Sequence, residues 1–275
     1  MDKNTNQAQG LNMLKPDEEN KLDQSIYNVN NTKKDEKHFC ISIAGRIIEI
    51  NSLYATVYEM CQDYLSEKEP EIKIYITEND INYEKTKAKG NEGFWKDDYI
   101  ETLAVYRKIS ENLLDYDTIL MHGAVIAYKN IAYMFTAVSG TGKTTHIRKW
   151  IENLEDANVV NGDKPLIVIR SNEAIACGTP WQGKEGLGLN CMVPLKAIVL
   201  MERGENNHIE EISFENALTF LIRQTNMPED SPNIKKTLML VAKLKGRVKF
   251  YKYVFNNMKD DAFEVAYKGI VEYNT

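Results

Sequence analysis

Residues 137–144 read Ala137-Val138-Ser139-Gly140-Thr141-Gly142-Lys143-Thr144. The stretch fits the phosphate-binding pattern G-x-x-x-x-G-K-[ST] everywhere but its first position, where alanine replaces glycine. Small residues let successive backbone N–H groups turn inward around phosphate oxygens. A helix starting at Gly142 or Lys143 adds the positive end of its dipole. Lys143 then offers an ammonium to the β- and γ-phosphates of a nucleoside triphosphate, and Thr144 offers a hydroxyl to Mg²⁺. The cofactor-binding set is therefore Ser139, Gly140, Thr141, Gly142, Lys143, Thr144 and Thr145, with a nucleoside triphosphate and Mg²⁺ as the cofactors. Both flanks agree. Residues 131–137 are apolar and aromatic, as in a buried strand, and Ile147, Trp150, Ile151 and Leu154 fall on one face of a helix. The competing reading, a chance Gly-Lys-Thr in a surface turn, explains neither flank.

Working outward, residues 118–126 form a second apolar run, separated from the first only by Ala127-Tyr128-Lys129-Asn130. Four residues cannot hold a crossover helix, so the two strands are expected to pair as an antiparallel hairpin that feeds the loop. In common P-loop NTPases the neighbouring strands are parallel and joined by helices, so a different architecture is implied. Downstream, residues 159–163 place Asp163 at a strand end. Residues 166–170 and 174–177 form a further hairpin, a glycine-rich loop covers 178–188, and residues 195–202 are a core strand. Helices over 214–223 and 234–245, a strand over 248–254 and a helix over 260–268 complete this part. Upstream, residues 39–50 read as a strand turned at Gly45. A helix over 54–64, a strand over 72–76, a polar stretch over 77–93 and a helix over 99–114 follow it.

Composition bounds the rest. The 275 residues are 43% hydrophobic and 27% charged, with a net charge of −6, as in an ordinary globular protein. The mild acidity gives no reason to expect a nucleic-acid partner, and Lys33-Lys34 and Lys235-Lys236 read as solvated surface. Cys40, Cys61, Cys177 and Cys191 make no C-x-x-C pair and read as free thiols in a reducing compartment. The four histidines, His38, His122, His146 and His208, are scattered and suggest no metal set. There is no apolar run of membrane-spanning length and no secretory pattern, so the expected location is cytoplasmic. The expected division is a disordered polar tail over 1–37, a small N-terminal α/β unit and helix over 38–115, and a P-loop domain over 116–275. Within the tail, Leu11-Asn12-Met13-Leu14 is apolar enough for a short docking segment.

Several elements taken in order resemble the HPr kinase/phosphorylase and phosphoenolpyruvate carboxykinase superfamily, in particular its short HPr-kinase-like members. They are Met121-His122-Gly123-Ala124-Val125, the strand and loop through Thr144, Asn161-Gly162-Asp163-Lys164-Pro165, Gly178-Thr179-Pro180-Trp181-Gln182-Gly183-Lys184, and Val193-Pro194-Leu195-Lys196-Ala197-Ile198. The resemblance covers residues 116–270, and residues 39–80 look like the small N-terminal unit of such members. It implies an α/β fold with a mixed sheet and an antiparallel hairpin feeding a P-loop. It also implies a kinase that moves the γ-phosphoryl of ATP to a serine or threonine hydroxyl of a protein or ribosomally made peptide. Relatives assemble as hexamers, and nothing in these residues fixes an oligomeric state. Asp163 matches the carboxylate that binds metal or takes the hydroxyl proton, and His122 the histidine near the phosphates. The catalytic set implied is Asp163, His122 and Lys143, and the metal set Thr144 and Asp163.

One departure stands out: Gly162-Asp163 occupies the place of two consecutive aspartates. Asp163 alone suffices for a weaker enzyme, Glu185 enters the site, or the protein binds nucleotide as a regulator without transfer. A carboxykinase-like transfer to a small molecule is a further alternative. Lys184, Glu185 and Arg223 form the candidate substrate loop, against ordinary solvation for each. Arg203 reads as a phosphate clamp or an exposed side chain, Trp181 as a base-stacking or a packing residue, and His122 as a functional or a core histidine.

Overall fold

The computed structural model describes residues 33–87, 95–256 and 258–272. The docking segment at 11–14, and all of the polar tail before residue 33, lie outside the described residues.

The chain opens with β1 (Lys37–Ile43) and β2 (Arg46–Ser52), an antiparallel hairpin. Its two turn residues, Ala44 and Gly45, have φ of 51° and 75°. That pair of left-handed residues matches the twist of the flanking strands. Next come α1 (Ala55–Met60), β3 (Leu65–Ser66), β4 (Ile72–Tyr75), α2 (Glu78–Lys87) and α3 (Asp97–Leu113). The first sheet has the order β3-β1-β2-β4, with β2 and β4 parallel. Ile41, Ile43, Ile48 and Ile50 alternate onto its inner face, where Val57 of α1 and Ile100, Ala104 and Ile109 of α3 cover them.

The polar stretch expected over 77–93 is a helix through Lys87. Asp80 caps its start by accepting from the backbone N–H and hydroxyl of Thr77, at 2.9 and 2.8 Å. Ile81 is fully buried, and Glu84 pairs with Arg107 of α3 at 2.5 Å. Tertiary partners hold this helix, so its own apolar pattern is too weak to reveal it. Residues 88–93 of that stretch lie outside the described residues.

The second part of the chain runs β5 (Thr118–Leu120), β6 (Ala124–Tyr128), β7 (Ile131–Ala137), α4 (Lys143–Asn153), β8 (Asn158–Asn161), β9 (Leu166–Ile169), β10 (Ala174–Cys177), β11 (Met192–Arg203), β12 (His208–Ile212), α5 (Phe214–Gln224), α6 (Ser231–Lys243), β13 (Lys249–Phe255) and α7 (Ala262–Ile270). Its sheet has the order β5-β9-β10-β11-β7-β6-β8, with β13 beside β11 and β12 beside β13. The sheet is mixed: β6 and β7 form the expected antiparallel hairpin, while β7, β11 and β13 run parallel.

β7 explains its own continuous apolar run. Ala132 and Met134 face a core closed by Ala217 and Leu221 of α5 and Leu240 and Val241 of α6. Tyr133, Phe135 and Ala137 face the opposite core with Ile147 and Trp150 of α4 and Ala266 of α7. A strand buried on both faces reads as a near-continuous apolar run, and the buried hydroxyl of Thr136 within it is satisfied by donating to the His122 carbonyl at 2.7 Å. The single strand expected over 118–126 is broken, however. β5 pairs with β9 and β6 with β7 and β8, and residues 121–123 between them turn away from both. Among the described residues no helix is long and apolar enough to cross a membrane, and the four cysteines are free.

Candidate functional site

β7 ends at Ala137, the position where the motif has glycine. Its side chain is 1% exposed and belongs to the core, and its φ is not among the positive ones. Alanine therefore costs the loop nothing. The two positions that do need glycine have it: Gly140 has φ of 80° and Gly142 of 108°. A Cβ on Gly142 would lie 2.7 Å from Cε1 of Phe255. Thr141 closes the turn by donating its hydroxyl to the Val138 carbonyl at 2.7 Å. Arg203, the last residue of β11, donates to the carbonyls of Gly140 and Thr141, the latter from Nε at 3.3 Å. Arg203 is exposed, as one of its two readings has it, and its side chain also braces the loop, which neither reading anticipated.

α4 starts at Lys143 with Gly142 as its N-cap. No side chain caps it, and its first turn holds no acidic residue. The unshared N–H groups and the positive dipole end stay uncompensated by the protein. They open on a cavity of about 510 Å³, lined by residues 137–145 together with His122, Gly162, Asp163, Gln182, Lys184, Glu185 and Arg203. That volume is in the range of sites for small organic ligands.

Asp163 and His122 reach the cavity from two irregular segments. Asn161, fully buried at the end of β8, turns the chain after it. Its Oδ1 accepts from the N–H of Asp163 at 2.9 Å and of Lys164 at 2.6 Å. Its amide nitrogen donates to the carbonyl and hydroxyl of Thr179 at 3.1 and 3.0 Å. The break between β5 and β6 is pinned on both sides. His122 N–H donates to the Gln224 carbonyl at 2.7 Å, and Gly123 N–H to the Asp163 carbonyl at 2.9 Å.

His122 Nε2 lies 3.1 Å from Oδ1 of Asp163 and 3.0 Å from Nζ of Lys143, and Lys143 Nζ is 3.9 Å from the same carboxylate oxygen. Burial pushes the Lys143 ammonium down to about 8, although Asp163 pulls the other way. Burial works to raise Asp163, but the adjoining His122 ring and the charge of Lys164 outweigh it and hold the carboxyl below its usual value. Lys143 is thus a cation that gives up its proton readily, and Asp163 a dependable carboxylate.

The glycine-rich loop over 178–188 folds across Asp163. Trp181 is packed beneath it: the ring is 9% exposed, tilts against Tyr106 and donates Nε1–H to the Thr102 carbonyl of α3 at 3.1 Å. Lys184 and Glu185 line the cavity, and Glu185 is strapped to Arg148 of α4 by an ion pair. Arg223 sits exposed on α5 and is not among the lining residues. A Cβ at Gly162 would lie 2.7 Å from the Gln182 carbonyl oxygen and 3.2 Å from that of Leu187. The loop backbone fills the space that a second carboxylate would need.

Sequence reasoning assigned no role to Asn161 or Gln224. The Asn-Gly-Asp turn signature marks the first. No local signal marks the second, because its partner His122 is 102 residues away in the chain.

No protein-family model and no curated protein matches the chain. Among solved structures, the chain is similar to the Hpr(Ser) kinase/phosphatase from Coxiella burnetii, at 9% identity and a TM-score of 0.36, over 57% of this chain and 99% of that one.

Proposed function

We propose that the chain is an ATP- and Mg²⁺-dependent phosphotransferase that moves the γ-phosphoryl group to a serine or threonine hydroxyl of a protein or peptide. The observation that carries the reading is the uncapped, acid-free start of α4, with Lys143 and Thr144, opening on the same cavity as Asp163. Unshared N–H groups and an ammonium suit a polyphosphate. A carboxylate across the cavity suits the hydroxyl that attacks it.

The donor set fits Mg²⁺. Among the described residues there is no cluster of three or more acidic, histidine or cysteine side chains. Mg²⁺, however, is held by one or two protein oxygens with waters and substrate phosphates, and Thr144 and Asp163 supply such oxygens. When bound, the ion would neutralise charge on the phosphate oxygens. The chain's own residues do the rest. Backbone N–H groups over 140–145 hold the phosphates, and Lys143 leaves His122 to neutralise the transferring group. The acceptor hydroxyl oxygen forms a bond to the γ-phosphorus as the bond to the ADP oxygen breaks, and the hydroxyl proton passes to the Asp163 carboxylate. Lys184 and Glu185, which line the cavity, are the side chains this reading assigns to the acceptor.

The filled space at Gly162 favours a second reading, a nucleotide-binding regulator, because a single carboxylate serves both metal and proton. The two separate on ADP release and phosphopeptide formation from ATP, Mg²⁺ and a serine/threonine peptide library, with Lys143→Ala and Asp163→Ala as controls. Acceptor-dependent transfer lost in both variants supports the kinase. ATP binding that needs Lys143, with no transfer in any form, supports the regulator.

A further inference from the structure

We propose that Gln224 is a positioning residue that selects the tautomer of His122, and so decides which neighbour the ring's Nε2 serves. Nε2 faces two groups with opposite demands. The Asp163 carboxylate, 3.1 Å away, calls for an N–H, and the Lys143 ammonium, 3.0 Å away, calls for a lone pair. A neutral imidazole carries one ring proton, so Nε2 satisfies one of them only. The choice is made at the other nitrogen. Nδ1 lies 3.1 Å from Oε1 of Gln224, an acceptor, so Nδ1 holds the proton and Nε2 presents its lone pair to Lys143.

Gln224 is well placed to impose this. It is the last residue of α5, and the segment over 224–226 is stitched to residues 120–122. His122 N–H donates to the Gln224 carbonyl at 2.7 Å, and Asn226 N–H donates to the Leu120 carbonyl at 2.8 Å. The Asn226 side chain continues to the hydroxyl of Ser110 on α3 at 2.9 Å. Backbone and amide of Gln224 therefore grip the same histidine. With the opposite tautomer, Nε2–H would turn to Asp163, take up the carboxylate lone pair that the acceptor hydroxyl needs, and lose Lys143 as a partner. The catalytic consequence rests on the phosphotransferase reading; the tautomer assignment does not.

The test is ¹⁵N NMR of the histidine side chains in the full chain without nucleotide, at a pH where the His122 ring is neutral. Native protein is compared with Gln224→Glu, which keeps an acceptor, and Gln224→Leu, which removes it. The expected result is a protonated Nδ1 in native and Gln224→Glu, and a shift to protonated Nε2 in Gln224→Leu. A protonated Nε2 in the native protein overturns the proposal, and so does a tautomer unchanged in Gln224→Leu. In the peptide-library assay, Gln224→Leu should lower kcat on the order of 10²-fold while Gln224→Glu restores most of it. Absence of transfer in every form, with the tautomer shift present, would count against the kinase reading and leave the role of Gln224 standing.

Discussion

His146 makes the helix that follows the loop sensitive to acid. It is fully buried on the core side of α4, and its ring lies 4.9 Å from Phe135, 5.1 Å from Tyr253 and 5.2 Å from Phe255, centroid to centroid. Nε2 accepts the indole N–H of Trp150 at 2.9 Å, so the single proton of the neutral ring sits on Nδ1, which has no hydrogen-bond partner among the described residues. Among the described residues no carboxylate acts on the ring to balance an imidazolium. Burial first, and the charge of Lys149 second, push its pKa from 6.5 down to about 3. The unfolded chain thus binds a proton that the folded chain refuses. Stability from this group is fully present above pH 6.5 and is lost progressively as pH falls toward 3. One proton is worth about 1.4 kcal/mol per pH unit, so at pH 4 the protein is roughly 3 kcal/mol less stable than at pH 7 on this account alone. Replacing His146 with Gln keeps an acceptor for Trp150 and removes the titration. Urea unfolding of both proteins at pH 7, 6, 5 and 4 should give curves that converge as pH falls, the native protein losing about 3 kcal/mol more than the variant. Parallel curves would mean that the ring gains a proton in the folded state, and would refute the reasoning.

Three further outcomes follow from the site. Gly162→Asp should destabilise the protein by about 1–3 kcal/mol and gain no transfer activity, because the new side chain meets the loop carbonyls of Gln182 and Leu187; thermal unfolding and the transfer assay check this, and a large gain in activity would show the loop free to move. Lys143 must be an ammonium to meet phosphate, so ATP affinity measured by calorimetry should weaken by up to about tenfold per pH unit above about 8, and Lys143→Ala should lose that dependence. Arg203→Gln frees the carbonyls of Gly140 and Thr141 and should weaken ATP binding between about threefold and tenfold, while α4 and its core remain folded by circular dichroism.

Much of the architecture was legible because burial writes itself into local pattern. Ile131–Ala137 had to be a strand buried on both faces, and four residues between two apolar runs forced a hairpin. α2 was hidden because its stability comes from Arg107 and other partners on α3. β12 was hidden for a related reason: it is an edge strand of largely exposed residues that exists by pairing with β13. The break at 121–123 was hidden because Met121, His122 and Gly123 find their hydrogen-bond partners at Pro165, Gln224 and Asp163, all distant in the chain.

At the site the division has the same cause. By itself, the sequence determined the loop with its glycines and the helix behind it, since those depend on neighbours within a few residues. It also offered His122, Lys143 and Asp163, but as separate residues spread along 42 positions of chain. Only the tertiary structure brought one imidazole nitrogen within 3.1 Å of both a carboxylate and an ammonium, and added Gln224 behind it. It also turned Gly162 from a missing aspartate into a position filled by loop backbone. Hydrogen bonds and close contacts are set by distance in space, and local periodicity carries no record of which distant residues fold to within 3 Å.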